Sequence, residues 1–340
     1  MTRTPAPAPS AGHGQANTQW LRRLATPARR VAPERWWPLL LLWTMSTCTL
    51  GEVTAAEGGD VLVVEAHLQS GGARQALLLH RSLQGNVVRG EPGATVTLTT
   101  PSGGTVEYLE SPPAFCAGAV PPEMTDSLTI EATCYATQAN DDLLVQPGGA
   151  YELDVISARG EHLRGRTTVP GSFQGRRPAI PATSSFPACS LPPRTNLELM
   201  WTQSEGAWSY LATIEITGLR EALAGTDIEA PERLDLTGVS ISQTDTTLVL
   251  PAEFGLFELT NVDPDLLVYL QGGFPPGVTA RLRLSAVDRN YVNAIRGGSF
   301  HPSGVIRISS IIGDGVGVFA SYVPRDLFIV VEQASPLPRC

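Results

Sequence analysis

Along most of this chain, apolar and polar residues alternate in short runs. Short runs with a period of two predict β-strands, because successive side chains of a strand point to opposite faces. Residues 60–68 (DVLVVEAHL) and 74–81 (RQALLLHR) are apolar strands. Residues 95–100 (TVTLTT) alternate, turn at Pro101-Ser102-Gly103-Gly104 and return as 105–109 (TVEYL), a hairpin with a glycine-bearing loop. Residues 127–135 (SLTIEATCY) alternate again. Further on, Tyr151, Leu153 and Val155 share one face, Ala158-Arg159-Gly160-Glu161 turns the chain, and 164–169 forms the return strand. Strands at this spacing predict a β-sandwich over residues 60–170.

Residues 171–194 read as a linker, because Gly171, Gly175, Pro178, Pro181, Pro187, Pro192 and Pro193 interrupt any regular element. A second strand-rich domain is expected over 195–340. Its first pair is 196–203 (NLELMWTQ) and 208–217 (WSYLATIEIT), joined by a turn at Ser204-Glu205-Gly206. Later strands are expected at 278–287, 304–312, 316–323 and 325–333. Trp201 and Tyr210 resemble the core aromatic pair at the start of a fibronectin type III sandwich. Two short helices are predicted. Asp263 caps one, with Pro264 at its first position and Gly272 past its end. Asp288 caps 289–296, which Gly297-Gly298 stops. The expected fold class is therefore all-β: two tandem β-sandwich domains of immunoglobulin/fibronectin type III-like kind.

The first 47 residues look like an address. Residues 4–19 are rich in Pro, Ala and Gly; then come Arg22, Arg23, Arg29, Arg30 and Arg35 and the apolar run 36–45 (WWPLLLLWTM). Such a run has about half the residues needed to span a bilayer, and a basic stretch before a short apolar core is the signal-peptide pattern. The run ends in Met45-Ser46-Thr47-Cys48, which resembles the lipobox where a bacterial prolipoprotein is lipidated on Cys and cleaved before it. Thr47 and Met45 depart from the usual residues, and Val53-Thr54-Ala55 offers a rival cleavage site. A start at Val31 is a further reading of the long head. Residues 48–59 would form a tether.

Charge separates the same two parts. Residues 1–47 carry six Arg and one acid, a net +5, whereas the whole chain is −9, leaving −14 for residues 48–340. A basic head on an acidic body fits a targeting segment before an exported domain. The acidic body argues against nucleic acid, whose phosphates need a basic face. The chain has no lysine, which excludes a Walker A phosphate loop and Schiff-base chemistry.

Cys48 followed by the strand at Val61-Leu62-Val63-Val64-Glu65-Ala66, then Gly93-Ala94-Thr95-Val96-Thr97-Leu98, Gly149-Ala150-Tyr151-Glu152-Leu153 and the glycine-rich closing segment 307–322 (RISSIIGDGVGVFASY) form a set of short motifs. In these motifs the sequence resembles the bacterial lipoprotein family known as domain of unknown function 4249. The resemblance covers about residues 48–333. It implies a cell-envelope lipoprotein, outer-membrane anchored, often accompanying a TonB-dependent outer-membrane receptor, and it brings no catalytic residues.

Candidate chemistry is sparse. Gly313-Asp314-Gly315-Val316-Gly317 has the glycines of a phosphate loop, but strand and not helix follows, so it reads as a glycine-rich hairpin. The histidines (His13, His67, His80, His162, His301) lack metal-ligand spacing; His67 and His80 read as sheet-surface residues. The acids at Asp141-Asp142 and Asp263-Pro264-Asp265 lack calcium-loop spacing. No Gly-x-Ser-x-Gly elbow occurs. Trp201 and Tyr210 belong in a core, leaving Trp208, at the end of a turn, as the candidate ligand contact. No metal and no cofactor is expected.

Cysteine arithmetic completes the reading. With Cys48 lipidated, Cys116, Cys134, Cys189 and Cys340 remain, an even number for an oxidising compartment. Cys116 and Cys134 flank one loop. Cys189 opens the second domain, Cys340 closes the chain, and domain termini often lie close together. The expected bridges are Cys116–Cys134 and Cys189–Cys340. The function expected is a non-catalytic accessory or ligand-binding module of the cell envelope with an unknown ligand. The rivals are a secreted hydrolase with a dispersed active site and a structural or adhesion module.

Overall fold

The computed structural model describes residues 60–82, 88–117, 130–138, 145–180, 187–240, 242–251, 263–298 and 308–340. By its contacts the chain divides into two units, Met1–Glu52 and Val53–Cys340. All the described residues lie in the second. The protein is all-β, with three short α-helices and one 3-10 turn (Pro113–Phe115) among the described residues. None of them is long and apolar enough to cross a membrane.

The amino-terminal strands are β1 (Leu62–Gln69), β2 (Ala76–Arg81), β3 (Val88–Arg89), β4 (Thr95–Thr99), β5 (Thr105–Ser111), β6 (Ile130–Glu131), β7 (Thr133–Ala136), β8 (Ala150–Ile156) and β9 (His162–Thr168). The stretch expected to be a linker holds three more, β10 (Gly175–Arg177), β11 (Ala179–Ile180) and β12 (Ala188–Leu191). Its prolines flank these short strands instead of preventing them. The carboxy-terminal elements are β13 (Leu197–Trp201), β14 (Ser209–Thr217), α1 (Leu219–Ala222), β15 (Arg233–Val239), β16 (Thr247–Leu250), α2 (Pro264–Gln271), β17 (Thr279–Val287), α3 (Arg289–Gly298), β18 (Ile311–Gly313) and β19 (Gly315–Val331).

One large sheet runs β15-β14-β17-β19-β1-β2-β7-β5-β4-β8-β9-β18, and β12 also pairs with β19. Because β18 and β19 are separated by Asp314 alone, the amino-terminal strands close on a single segment near the end of the chain. That segment's first residues pair with β9 and the next eight pair in parallel with β1, from Leu62↔Gly315 to Gln69↔Tyr322. From Tyr322 onward β19 pairs with β17, and its last residues pair with β12. The two strands expected at 316–323 and 325–333 are therefore one. Pro324 does not break it. β1 ends opposite Tyr322 and β12 begins opposite Phe328, so Pro324 falls where the strand has a neighbour on one side only.

The glycines of 313–317 serve this closure. Gly313 has φ +115°, and a Cβ there would lie 2.1 Å from the His162 carbonyl oxygen. Gly317 has φ +147°, and its Cβ would meet the Val64 carbonyl oxygen at 2.0 Å. Asp314 locks the turn by accepting from His162 N–H at 2.9 Å and donating its own N–H to the His162 carbonyl at 3.0 Å. One backbone bond, Ser310 N–H to Gly317 C=O, joins the two arms. Their strand pairing runs outward to β9 and β1.

The carboxy-terminal strands make a sandwich. The sheet β11-β10-β13-β16 faces the large sheet across an aromatic core. Trp201 on β13 meets Tyr210 on β14 edge-on at 5.2 Å, and Phe173 meets Tyr210 at 5.8 Å. All three are buried, each contributing about 1.5–3 kcal/mol of apolar burial. On the opposite face of the large sheet, α3 lays Tyr291, Val292 and Ala294 against Val318, Ala320, Leu211 and Val287. Both expected helices form where their caps lie. Asp263 accepts from Asp265 N–H, and Asp288 accepts from Tyr291 N–H.

Candidate functional site

The β13–β14 turn is held from below. Ser204 N–H donates to the Tyr210 hydroxyl at 2.7 Å, tying the turn to the aromatic core. Two residues after Gly206, Trp208 N–H donates to the Val287 carbonyl, which sets Trp208 beside Asp288 at the start of α3. Trp208 is 50 % exposed. The Arg289 guanidinium lies over its ring at 4.9 Å. Around this pair is a recess of about 320 Å³, lined also by Arg166 and Thr168 of β9, Asp288 and Asn290. That volume is at the small end of small-molecule sites.

Asp288 forms the floor and is buried. One carboxylate oxygen accepts from Tyr291 N–H at 2.8 Å, and the other accepts from the Thr167 hydroxyl at 2.5 Å. The Thr167 hydroxyl also bonds Ser321 at 2.8 Å, and Asn290 Nδ2 donates to the Arg166 and Phe319 carbonyls. These bonds join β9, α3 and β19. Burial pushes the Asp288 carboxyl up to about 6, against the hydrogen bonds from Thr167 and the Tyr291 N–H, which favour the charged form. Both oxygens are engaged within the protein, so Asp288 is a structural acid.

Arg166 also borders a second groove, of about 550 Å³, on the outer face of β4, β8, β9 and β18. Cross-strand polar contacts cover this face: Asp154 pairs with Arg164 at 3.0 Å and is hydrogen-bonded to His162 at 2.7 Å, and Glu152 pairs with Arg166 at 3.7 Å. Exposed pairs of this kind add little stability. They leave the groove nearly neutral.

The four cysteines are paired as Cys116–Cys134 and Cys189–Cys340. The second pair staples β12 to the closing residues, where Cys340 N–H also donates to the Ser190 carbonyl. Trp201 and Tyr210 are in the core, and Trp208 is at the surface, as the sequence indicates. His67 and His80 are not on an open sheet face: they are 5 % and 8 % exposed. The α3 residue Tyr291 stands edge-on to His67 at 5.4 Å, and Glu65 lies 3.8 Å from His80. Cys48, Asp141, Asp142, His13 and His301 lie outside the described residues. Among the described residues, no group of three or more His, Cys, Asp or Glu is placed to hold a metal ion.

The sequence singles out Trp208 but not its neighbours in the recess, Arg166, Arg289 and Asn290. The cap at Asp288 was legible, and so was a helix beginning with Arg289-Asn290. What brings that helix to Trp208 is the β14–β17 register, Ser209↔Val287, which no local pattern encodes.

No family model matches this sequence, and no curated protein matches it. Among solved structures, the chain is similar to the fibronectin(III)-like modules of CbhA from Clostridium thermocellum, at 9 % identity over 79 % of this chain and 90 % of that one, with a TM-score of 0.18. It is also similar to a DUF4785 family protein from Legionella pneumophila, at 11 % identity over 66 % of this chain and 51 % of the other, with a TM-score of 0.19. At this degree of overlap neither likeness assigns a function.

Proposed function

We propose that the protein is an exported cell-envelope lipoprotein, tethered through Cys48, that acts as a non-catalytic ligand-binding module and works beside an outer-membrane receptor. The recess at Trp208 carries the binding part of this reading. A tryptophan left half exposed, beside a guanidinium in a polar recess, offers apolar contact area at low conformational cost. The one acid in that recess is committed to the fold, which favours binding over acid–base chemistry. The two disulfides favour an oxidising compartment. The Cys48 anchor and the receptor partnership rest on the resemblance of the amino-terminal and strand motifs to the lipoprotein family.

The test is ¹⁹F NMR of the full chain labelled with 5-fluorotryptophan and screened against saccharides, peptides and metabolites. The Trp208 resonance, assigned by its loss in Trp208→Phe, is expected to move while that of Trp201 stays. A library in which no compound moves it, or turnover of an ester, peptide or glycoside abolished by one Ser, Asp, Glu or His substitution, would overturn the reading. Fractionation tests the anchor: the full chain belongs with membranes, and Cys48→Ala in the soluble fraction.

A further inference from the structure

The recess has a charge character that sets the class of ligand. Its floor acid is bonded to Thr167 and to the Tyr291 N–H. Arg166 has Glu152 as a partner at 3.7 Å. Arg289 has only the Trp208 ring: among the described residues, no carboxylate forms an ion pair with it. A ring contact uses none of the guanidinium's N–H donors in an ion pair, and those donors match a carboxylate two at a time. Arg289 also stands in the first turn of α3, where the partial positive charge of the helix disfavours a cation and favours an added anion.

The other walls are polar. The Thr168 side chain is exposed on β9, and Asn290 donates to two backbone carbonyls, which fixes its amide in place. Hydroxyl and amide groups beside a half-exposed indole suit a ring with an apolar C–H face and a hydroxylated rim. Resting on the reading of this recess as a binding site, we infer that its ligand is an acidic saccharide: a uronic-acid unit packs against the exposed part of Trp208 that Arg289 does not cover, and its carboxylate is held by Arg289, with Arg166 beside it. The nearly neutral groove that shares Arg166 would receive the adjoining sugar of a longer chain.

The experiment is isothermal titration of the full chain with digalacturonic acid and with its dimethyl ester, which has the same rings without the charge. The acid is expected to bind and the ester to bind about tenfold more weakly or worse, with affinity for the acid falling as salt rises. Arg289→Gln should weaken the acid by about tenfold and leave the ester unchanged. Trp208→Ala should weaken both by about tenfold, and Trp208→Phe should restore part of the loss. Trp208 and Arg289 lie at the surface, so the thermal melts of these variants are expected to match that of the parent. Equal binding of acid and ester, lost in Trp208→Ala, would overturn the acidic class and leave the recess intact as a binding site. Acid binding that survives both Trp208→Ala and Arg289→Gln would overturn the class and remove the recess as the site. Binding of neither probe would overturn the acidic class, and the fluorotryptophan screen then decides separately whether the recess binds anything.

Discussion

The two strand groups of this protein are held together in opposite ways. The carboxy-terminal group packs an aromatic cluster between two facing sheets: β13 and β14 are neighbours in sequence, and Trp201, Tyr210 and Phe173 interlock there. A disulfide spanning 151 residues then staples β12 to the end of the chain. The amino-terminal group cannot close alone. Its ring of strands is completed by β18 and β19, and Tyr322 bonds Gln69 across 253 positions of sequence. Its fixed charge is also different. Arg81, with its side chain 2 % exposed, donates to Glu91 at 2.7 Å and to Glu161 at 2.6 Å. One group is thus an aromatic core with a long covalent staple, and the other is a strand ring closed by a borrowed segment and pinned by a buried ion cluster. β19 belongs to both, so the stability of the amino-terminal group depends on the carboxy-terminal one being made.

The strongest way to break this comparison is at the borrowed segment. Gly317→Val places a side chain against the Val64 backbone at a positive φ, and the expected loss is about 4 kcal/mol or more. Hydrogen exchange should show β1, β2 and β9 deprotected while β13 and β14 keep their protection. Equal loss in both groups would mean that they form one cooperative block. Next in size is removal of the long staple. Cys189→Ser with Cys340→Ser should cost up to about 5 kcal/mol in the loop-entropy account, against about 3 kcal/mol for Cys116→Ser with Cys134→Ser. Denaturant midpoints of the two double variants give the ranking directly.

Arg81→Met tests the ion cluster. It leaves Glu91 and Glu161 without their shared cation, at an expected cost of about 3 kcal/mol, and it should act on the amino-terminal group. The same cluster predicts acid sensitivity. Arg81 holds the Glu161 carboxyl below its usual range, so its contribution is present above the unfolded value and is lost as pH falls through the folded one.

Asp288, at the junction of the two groups, has the opposite sign. Its folded value of about 6 lies above the unfolded one. The neutral acid is therefore favoured by folding, and stability is lost as pH rises from about 4 through 6, by about 3 kcal/mol over the window. Asp288→Asn keeps a capping side chain and should flatten that slope in melts recorded between pH 4 and 7. The smallest effect belongs to the surface. Trp208→Ala should change stability by less than about 1 kcal/mol, read from its denaturant midpoint, because its side chain is half exposed.

How much of this was legible follows from the range of each interaction. Period-two runs placed most amino-terminal strands to within a few residues, because strand burial is written every second position. The caps at Asp263 and Asp288 were readable because a cap acts within one turn. β15 and β16 were missed, and so were the strands within 171–194, whose Gly and Pro content masks short pairings. The burial of His67 was missed because Tyr291 of α3, which packs on it, lies more than 200 positions away in sequence.

By itself, then, the sequence determined the all-β class, the two capped helices, the core placement of Trp201 and Tyr210, and the outward Trp208. Each depends on neighbours within a few residues. The tertiary structure decided that 313–317 is the seam of a strand ring, that 316–331 is one strand serving two groups, and that Trp208 meets Arg289 over a buried acid. Those outcomes depend on register between strands far apart in the chain. Such register is set by the packing of whole sheets, where a glycine is needed because a distant carbonyl comes within van der Waals reach, and no local pattern records which carbonyl that is.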